Sequence, residues 1–326
     1  MNDAASAGDW IVPPANGGAR VDVALSERLA IPRSRVRRWI EQGRIRIDGR
    51  PPEKAGEQLR TGSRIEWEPP PKGDTRIVPE PGELAVLYED DDFLVLDKPP
   101  DLAVHPGAGR AAGTLAHRLV ARYPELAGVG GPGRPGIVHR LDLGTSGLLV
   151  VARNQDAYER LTRAFAERRV DKRYLGIVWG QPREARGVVE APLGRHPVDR
   201  KRMAVRPRGR PARTGWRRLG VAGPATLLEL ELFTGRTHQI RVHLRAIGHP
   251  LVGDAVYGEP RHRGLRGPLA RTLEAFPRPA LHAWRLRIEH PRSGAPLAFE
   301  APVPGDLEQL WRDLGGGGLV DLLPDR

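Results

Sequence analysis

Gly136-Ile-Val-His-Arg-Leu-Asp-Leu-Gly-Thr-Ser-Gly-Leu-Leu-Val-Val-Ala-Arg153 is the stretch from which the rest of the chain is read. Ile137 and Val138 form an apolar lead-in, His139 to Asp142 a polar knot, and Gly144 to Gly147 a small-residue turn. Leu148 to Ala152 is an apolar run short enough for a buried strand. A carboxylate between two such segments, if buried, must be paired or hydrogen-bonded. Two readings stand on these residues alone. Asp142 caps a turn in which Thr145 and Ser146 bond to the backbone, or it is held there for chemistry.

Outward from this stretch, Ala85 to Asp97 reads as two strands joined by an acidic turn at Asp90 to Asp92. The second strand stops at Lys98-Pro99, because Pro cannot donate to a ladder. His105 reads as a loop-packing residue. Thr114 to Tyr123 and Gln155 to Glu167 carry helical spacing. In the strand from Val170 to Gly180, Tyr174, Gly176 and Val178 alternate with Leu175, Ile177 and Trp179. Arg200 to Arg218 holds nine basic residues and no acid. Its place between strands points to a fixed basic face rather than a disordered tail. Leu227 to Phe233 alternates as a strand and runs into Thr234-Gly-Arg-Thr-His-Gln-Ile-Arg241. His238 and His243 are five apart, the wrong spacing for one helical face, and no carboxylates cluster with them, so a metal site is not expected. Glu259 to Pro279 reads as an Arg-rich loop over the binding face, Leu281 to Pro291 as a final strand and Leu307 to Leu314 as a terminal helix.

Toward the N-terminus, Val21, Ala24, Leu25 and Leu29 fall at helical spacing. Ser34 is placed to cap a second helix, Arg35 to Gln42, that ends at Gly43. A strand at Arg44 to Arg50 turns at Asp48-Gly49, and Arg64 to Glu68 is a further short strand. Seven arginines and two acids lie between Arg33 and Arg50. The expected boundaries are a mobile leader at 1–18, a small α+β module at 19–68, a Pro-rich linker at 69–83, a large domain at 84–314 and a flexible tail at 315–326.

Composition narrows the function. The absence of cysteine excludes disulfides, thiol catalysis and Cys-ligated metals. The N-terminal residues carry no secretory signal pattern, and no apolar run reaches membrane-spanning length, so a cytoplasmic location without a membrane partner is expected. A formal net charge of +12 that clusters in sequence points to a polyanionic partner.

The string His139-Arg140-Leu141-Asp142, followed by Thr145-Ser146-Gly147 and an apolar run, resembles the signature of the RluA/RluD family of pseudouridine synthases. Lys98 to Gly109, Lys172-Arg-Tyr174, Lys201-Arg-Met-Ala-Val205, Ala212-Arg-Thr214, Gly235 to Arg241 and His249 to Gly258 resemble further family motifs, in family order, from Ala85 to about Trp311. One departure is Leu143-Gly144, where the family often carries a charged pair. Residues 19–68 resemble the S4-like RNA-binding module.

The resemblance implies an α+β fold. A catalytic domain with a mixed, mainly antiparallel central sheet flanked by helices follows a small α+β RNA-binding domain. It implies isomerisation of uridine to pseudouridine in RNA, with Asp142 as the catalytic carboxylate, Tyr174 stacking on the target base and Arg241 as the salt-bridge partner of Asp142. An Arg241 fork on that carboxylate would favour its charged form. Arg140 is the candidate to fill the space left by a flipped base. Arg35, Arg37, Arg38, Arg44, Lys201, Arg202, Arg236 and His238 are the other expected RNA contacts. No redox or phosphoryl step occurs, so neither cofactor nor metal is expected. Asp101 and the N-terminal module favour large-subunit ribosomal RNA, with transfer RNA as the alternative. A non-catalytic RNA-binding protein and a carboxylate glycosidase also remain open, although the latter usually needs a second acting carboxylate. No oligomeric state is legible, and a monomer is the default expectation.

Overall fold

The computed structural model describes residues 6–69, 77–107, 110–131, 133–258 and 267–324. The chain divides into two compact units, residues 1–75 and 76–326.

In the first unit, α1 (Val21–Arg28) and α2 (Arg33–Glu41) accompany a three-stranded sheet. The strands are β1 (Gly8–Ile11), β2 (Ile45–Ile47) and β3 (Arg64–Trp67), in the order β1-β3-β2. Val36, Trp39 and Ile40 stand three and four residues apart and turn one face of α2 into a core with Leu25, Ile45 and Ile65. Asp48 and Gly49 both take positive φ in the turn after β2. Asp48 accepts hydrogen bonds from Ser63 Oγ and the Arg64 N–H, tying that turn to β3. Two expectations change here, and a buried acid joins them. Residues 8–11 are an edge strand paired with β3 rather than leader, and Trp67 Nε1 donates to the Ser6 carbonyl at 2.8 Å. Ser34 lies inside α2, because the helix begins two residues earlier, directly after the extended Pro32. Asp22 is fully buried and accepts hydrogen bonds from Arg20, Arg33 and Arg37. Burial alone would raise its carboxyl, but those hydrogen bonds win and hold it well below the usual range.

The second unit is built on a nine-stranded mixed sheet. Its strands are β4 (Ala85–Glu89), β5 (Phe93–Lys98), β6 (Ser146–Ala152), β7 (Asp171–Trp179), β8 (Arg186–Glu190), β11 (Arg213–Ala222), β12 (Ala225–Leu232), β13 (Leu281–Glu289) and β14 (Pro296–Glu300), with β9 (Leu193–Arg195) and β10 (Met203–Val205) forming a separate ribbon. The order is β4-β5-β6-β13-β7-β12-β11-β8, with β14 on β13. Among the described residues only the β6–β13 pairing is parallel. Alternation sorts the two faces. Tyr174, Val178, Leu228 and Leu230 join one core, whereas Leu175, Ile177, Trp179 and Leu227 join the other. α3 (Leu115–Arg122), α4 (Gln155–Ala166) and α5 (Gln239–Ala246) feed the first core through Leu119, Leu161 and Ile240. α6 (Pro268–Ala275) and α7 (Gly305–Asp313) feed the second through Leu273, Leu310 and Trp311.

Further expectations fail around this frame. Residues 70–76 of the expected linker lie outside the described residues. Glu80 and Glu83 already pack on α3: Glu80 Oε2 accepts the Gly113 N–H, and Arg118 donates to the Glu83 carbonyl. Residues 268–275 are helical, while 259–266 lie outside the described residues. The expected tail carries Leu319, which is fully buried in the second core, followed by a 3-10 turn at Val320–Leu322. The run of four glycines at 315–318 concealed that anchoring.

Candidate active site

The segment before β6 doubles back along it. The Ala152 N–H donates to the Gly136 carbonyl at 2.8 Å, Ile137 bridges Val151, and His139 Nε2 accepts the Val150 N–H at 2.9 Å. His139 stacks on Phe165, and desolvation pulls its imidazole down to about 3, so it is a neutral structural acceptor. Gly136 has φ +63, and a Cβ there would lie 2.1 Å from the Ala152 carbonyl oxygen. The far side of the loop is equally fixed. The Gly144 N–H donates to the Pro100 carbonyl at 2.7 Å, and Arg278 Nη1 donates to the Gly144 carbonyl at 3.1 Å. Arg278 is buried and grips Asp306 with both Nε and Nη2, so it braces the loop instead of covering a binding face. Asp142 sits at the tip, its side chain 17 % exposed.

Asp142 lines a cleft of about 90 Å³ with Arg140, Thr145, Tyr174, Arg236, His238 and Arg241. The site therefore draws on the β6 loop, on β7 and on the turn into α5. Arg241 lies on the helix α5, not on a strand. Its Nη1 meets Asp142 Oδ2 at 3.4 Å, while Nε and Nη2 bind Asp254 Oδ2 and Oδ1 at 2.7 and 2.8 Å. The expected fork on Asp142 is thus a fork on Asp254, with one remaining nitrogen turned to Asp142. The reason is geometric: Asp254 is fully buried and offers both oxygens in one plane, and bidentate pairing favours that arrangement. Burial would raise the Asp254 carboxyl, but Arg241 and the N–H groups of Tyr257 and Val256 hold it below its ordinary value. Burial and the Asp142 charge together push the Tyr174 hydroxyl well above the phenol range, so it stays protonated.

The turn into α5 is set by Gln239. Its Oε1 accepts from Thr234 Oγ1 and from the Arg236 N–H, and its Nε2 donates to the Arg213 carbonyl and to Thr214 Oγ1. His243 spans Thr214 Oγ1 and the Ala191 carbonyl, so both its nitrogens are committed and the His238/His243 pair is no ligand set. One acid–histidine group among the described residues has metal-like separation, Asp90, Asp92 and His290. Arg292 Nη2 already sits 2.6 Å from Asp92, and Tyr88 donates to Asp90.

Residues 92–246 match the family described as RNA pseudouridylate synthase, and residues 19–65 match the S4 domain. Ribosomal large subunit pseudouridine synthase D of Escherichia coli K12 is 42% identical over 90% of this chain and 90% of its own. The chain belongs to the RNA pseudouridine synthase family. Another relative, an uncharacterized RNA pseudouridine synthase of Chloroflexus aurantiacus, is 48% identical over 93% of this chain and 92% of its own. The solved structure of human RNA Pseudouridylate Synthase Domain Containing 1 is 30% identical, with a TM-score of 0.54, and covers 73% of this chain and 98% of that one.

The synthase brings Asp142, Tyr174, Arg241, Arg140, Arg236 and His238 into one cleft. The other expected RNA contacts are not among the residues that line it. Arg202 stacks over the Tyr257 ring at 5.4 Å, and Lys201 is exposed in the turn before β10. In the first unit, Arg35 and Arg38 are exposed on α2. Arg37 is held by Asp22, and Arg44 lies 3.4 Å from Glu68. Within the basic run, Arg217 and Arg218 are structural, bound to Glu229 and to the Pro182 carbonyl. Arg206, Arg208, Arg210 and Arg213 are exposed. A larger groove of about 620 Å³ shares Leu232 with the cleft and is lined by Arg168, Lys172, Arg213 and Phe233. Among the described residues no helix is long and apolar enough to cross a membrane.

Sequence reasoning passed over Asp254 and Tyr257, and one reading had the Thr145 hydroxyl bonding within the turn. Thr145 is buried, and its Oγ1 has no partner among the described residues, so it does not serve the turn. Asp254 had a usable signal. It is a lone acid in the small and apolar run Leu251-Val-Gly-Asp-Ala-Val256, the pattern that singled out Asp142.

Proposed function

We propose that this synthase converts uridine to pseudouridine in large-subunit ribosomal RNA and that Asp142 is the catalytic carboxylate. The observation that carries the reading is the cleft itself. Asp142 stands at its mouth on a braced loop, Arg241 is held beside it by Asp254, and the Tyr174 ring lines the same space. The ribosomal substrate is supported by the 42% identity to synthase D over 90% of both chains.

A base stacked in RNA is out of reach, so the uridine leaves the stack, and Arg140 at the cleft mouth takes the vacated place. Tyr174 receives the uracil by stacking. The glycosidic carbon–nitrogen bond breaks, the base turns, and its carbon 5 joins the ribose. Asp142 serves as nucleophile, at the anomeric carbon or at the ring, or as the base that removes a ribose proton. Each role requires the carboxylate form, which the cationic Nη1 of Arg241 faces. The reaction is an isomerisation that moves no net electrons, so the reading needs neither metal nor cofactor. A cytoplasmic monomer goes with it, testable by fractionation and by light scattering.

Pseudouridine mapping on RNA from a strain lacking the gene is the test. Loss of sites in large-subunit ribosomal RNA is expected, with rescue by the wild-type gene but not by Asp142→Asn. Loss confined to transfer RNA would overturn the substrate, and rescue by Asp142→Asn would overturn the catalytic assignment.

A further inference from the structure

His238 is the N-cap of α5, and it takes a left-handed conformation with φ 55 and ψ 23. That region is uncommon for a residue other than glycine and persists where the surroundings impose it. The imposing contact is Tyr257, whose Oη lies 2.8 Å from His238 Nδ1. Tyr257 is 2 % exposed, and its Oη also accepts the Met203 N–H at 2.7 Å. Among the described residues no other acceptor meets this hydroxyl. A buried O–H without an acceptor is costly, so its proton goes to His238 Nδ1. The neutral imidazole then carries its own proton on Nε2. Nε2 has no partner among the described residues, and the ring lines the cleft beside Asp142 and Tyr174.

Burial is the main influence on the charge of this imidazole and lowers its affinity for a proton. Asp142 and Asp254 favour the imidazolium, Arg241 and Arg140 oppose it, and the balance lies below the ordinary histidine value. A neutral donor therefore faces the reacting carboxylate. An imidazolium there would bind Asp142 and blunt it.

The geometry points to His238 as the donor that positions the uracil while it turns: Tyr257 locks the imidazole in one tautomer, and Nε2–H hydrogen-bonds a carbonyl oxygen of the ring. This rests on the assignment of the Asp142 cleft as the reaction site. The chemistry of the ring makes one donor sufficient. Turning uracil by half a revolution about the axis through N3 and C6 exchanges N1 with C5 and, at the same time, O2 with O4. A fixed Nε2–H thus meets a carbonyl oxygen both before the glycosidic bond breaks and after the base has turned. Between those points the base has lost its bond to the ribose, and such a contact keeps it in register.

Three variants separate the parts. Asn tolerates the left-handed backbone, and its amide oxygen can accept from Tyr257, so His238→Asn removes little besides the Nε2–H. His238→Gln returns an amide donor near the Nε2 position. Tyr257→Phe frees the tautomer. Single-turnover rates at saturating enzyme and RNA dissociation constants are measured for each, with Asp142→Asn as control. His238→Asn is expected to lose about 10–100-fold in maximal rate, with RNA affinity within about twofold of wild type. His238→Gln should recover most of that loss, and Tyr257→Phe should fall between them. A rate within twofold of wild type for His238→Asn overturns the inference. So does a loss of affinity as large as the loss of rate, which would make His238 a backbone contact, or a Gln variant no better than the Asn one. If Asp142→Asn is inert while His238→Asn is normal, only this inference fails. If Asp142→Asn is active, the cleft assignment fails with it.

Discussion

Arg241 divides one guanidinium between two carboxylates, and its bidentate grip on Asp254 aims the third nitrogen at Asp142. Lysine keeps the charge but offers a mobile point rather than a planar fork. Arg241→Lys is therefore expected to lower the single-turnover rate by about 100-fold or more with little change in RNA affinity. Asp254→Asn should act in the same direction, because it releases the arginine without touching Asp142. A normal maximal rate with weakened binding would instead make Arg241 a phosphate contact. Lys98 gives a pH-dependent prediction. It is 1 % exposed and donates to the Pro99 and Leu102 carbonyls at 2.6 and 2.9 Å. Burial pulls its ammonium down from 10.5 to about 8. Its folded-state value is below the unfolded one, so the unfolded chain holds the proton over a wider range. Its share of the stability therefore rises as pH climbs from about 8 toward 10.5. Urea unfolding should show Lys98→Met lacking this slope, at most ~1.4 kcal/mol per pH unit for one proton. Identical slopes in wild type and mutant would contradict the assignment.

At the scale of elements, the loop bearing Asp142 is closed at both ends by glycines that nothing larger can replace. Gly147 has φ +107, and a Cβ on it would lie 2.2 Å from the Ala283 carbonyl oxygen. Gly147→Ala must push β6 away from β13 or strain the backbone. It is expected to cost roughly 2–4 kcal/mol in urea unfolding and to impair turnover more than the equally buried Val150→Ala. These two elements also show what local pattern can reveal. The strands β5, β6 and β7 and the helices α3 and α4 were legible because period 2 and period 3.6 are properties of neighbouring residues. Asp142, Tyr174, Arg140, Arg236 and His238 were reachable because each sits in a distinctive string. Their convergence on one cleft depends on β6, β7 and the turn into α5 being brought together, and no local pattern encodes that. Nothing in the Thr234 to Arg241 string announces a helix, yet Gln239 starts one there by satisfying the turn before it. Arg278 was missed because a buried arginine and a surface arginine look alike until its partner, Asp306, is seen.

For the whole molecule, each unit holds its own apolar core: Val21, Leu25, Val36 and Ile65 in the first, and the cores on the two faces of the large sheet in the second. A chain of residues 76–326 is expected to fold cooperatively, to turn over slowly and to bind RNA less tightly. An insoluble or inert product would contradict that independence. RNA affinity should fall steeply with salt. Replacing Arg206, Arg208 and Arg210 by Gln should lower the log–log slope by about 0.7–0.9 for each phosphate contact removed. An unchanged slope would show that these exposed arginines face only solvent.

The parallel pairing of β6 with β13 joins Ser146 to His282, 136 positions apart. Chains emerge from the ribosome N-terminus first, at roughly 5–20 residues per second, so roughly 7–27 seconds separate the appearance of the two strands. Through most of that interval the S4 module and the Asp142 string are already made, yet β6 has only β5 beside it and Arg278 is not there to hold Gly144. A nascent chain halted before residue 278 is therefore expected to grip RNA without modifying it, with competence arriving only as translation nears its end.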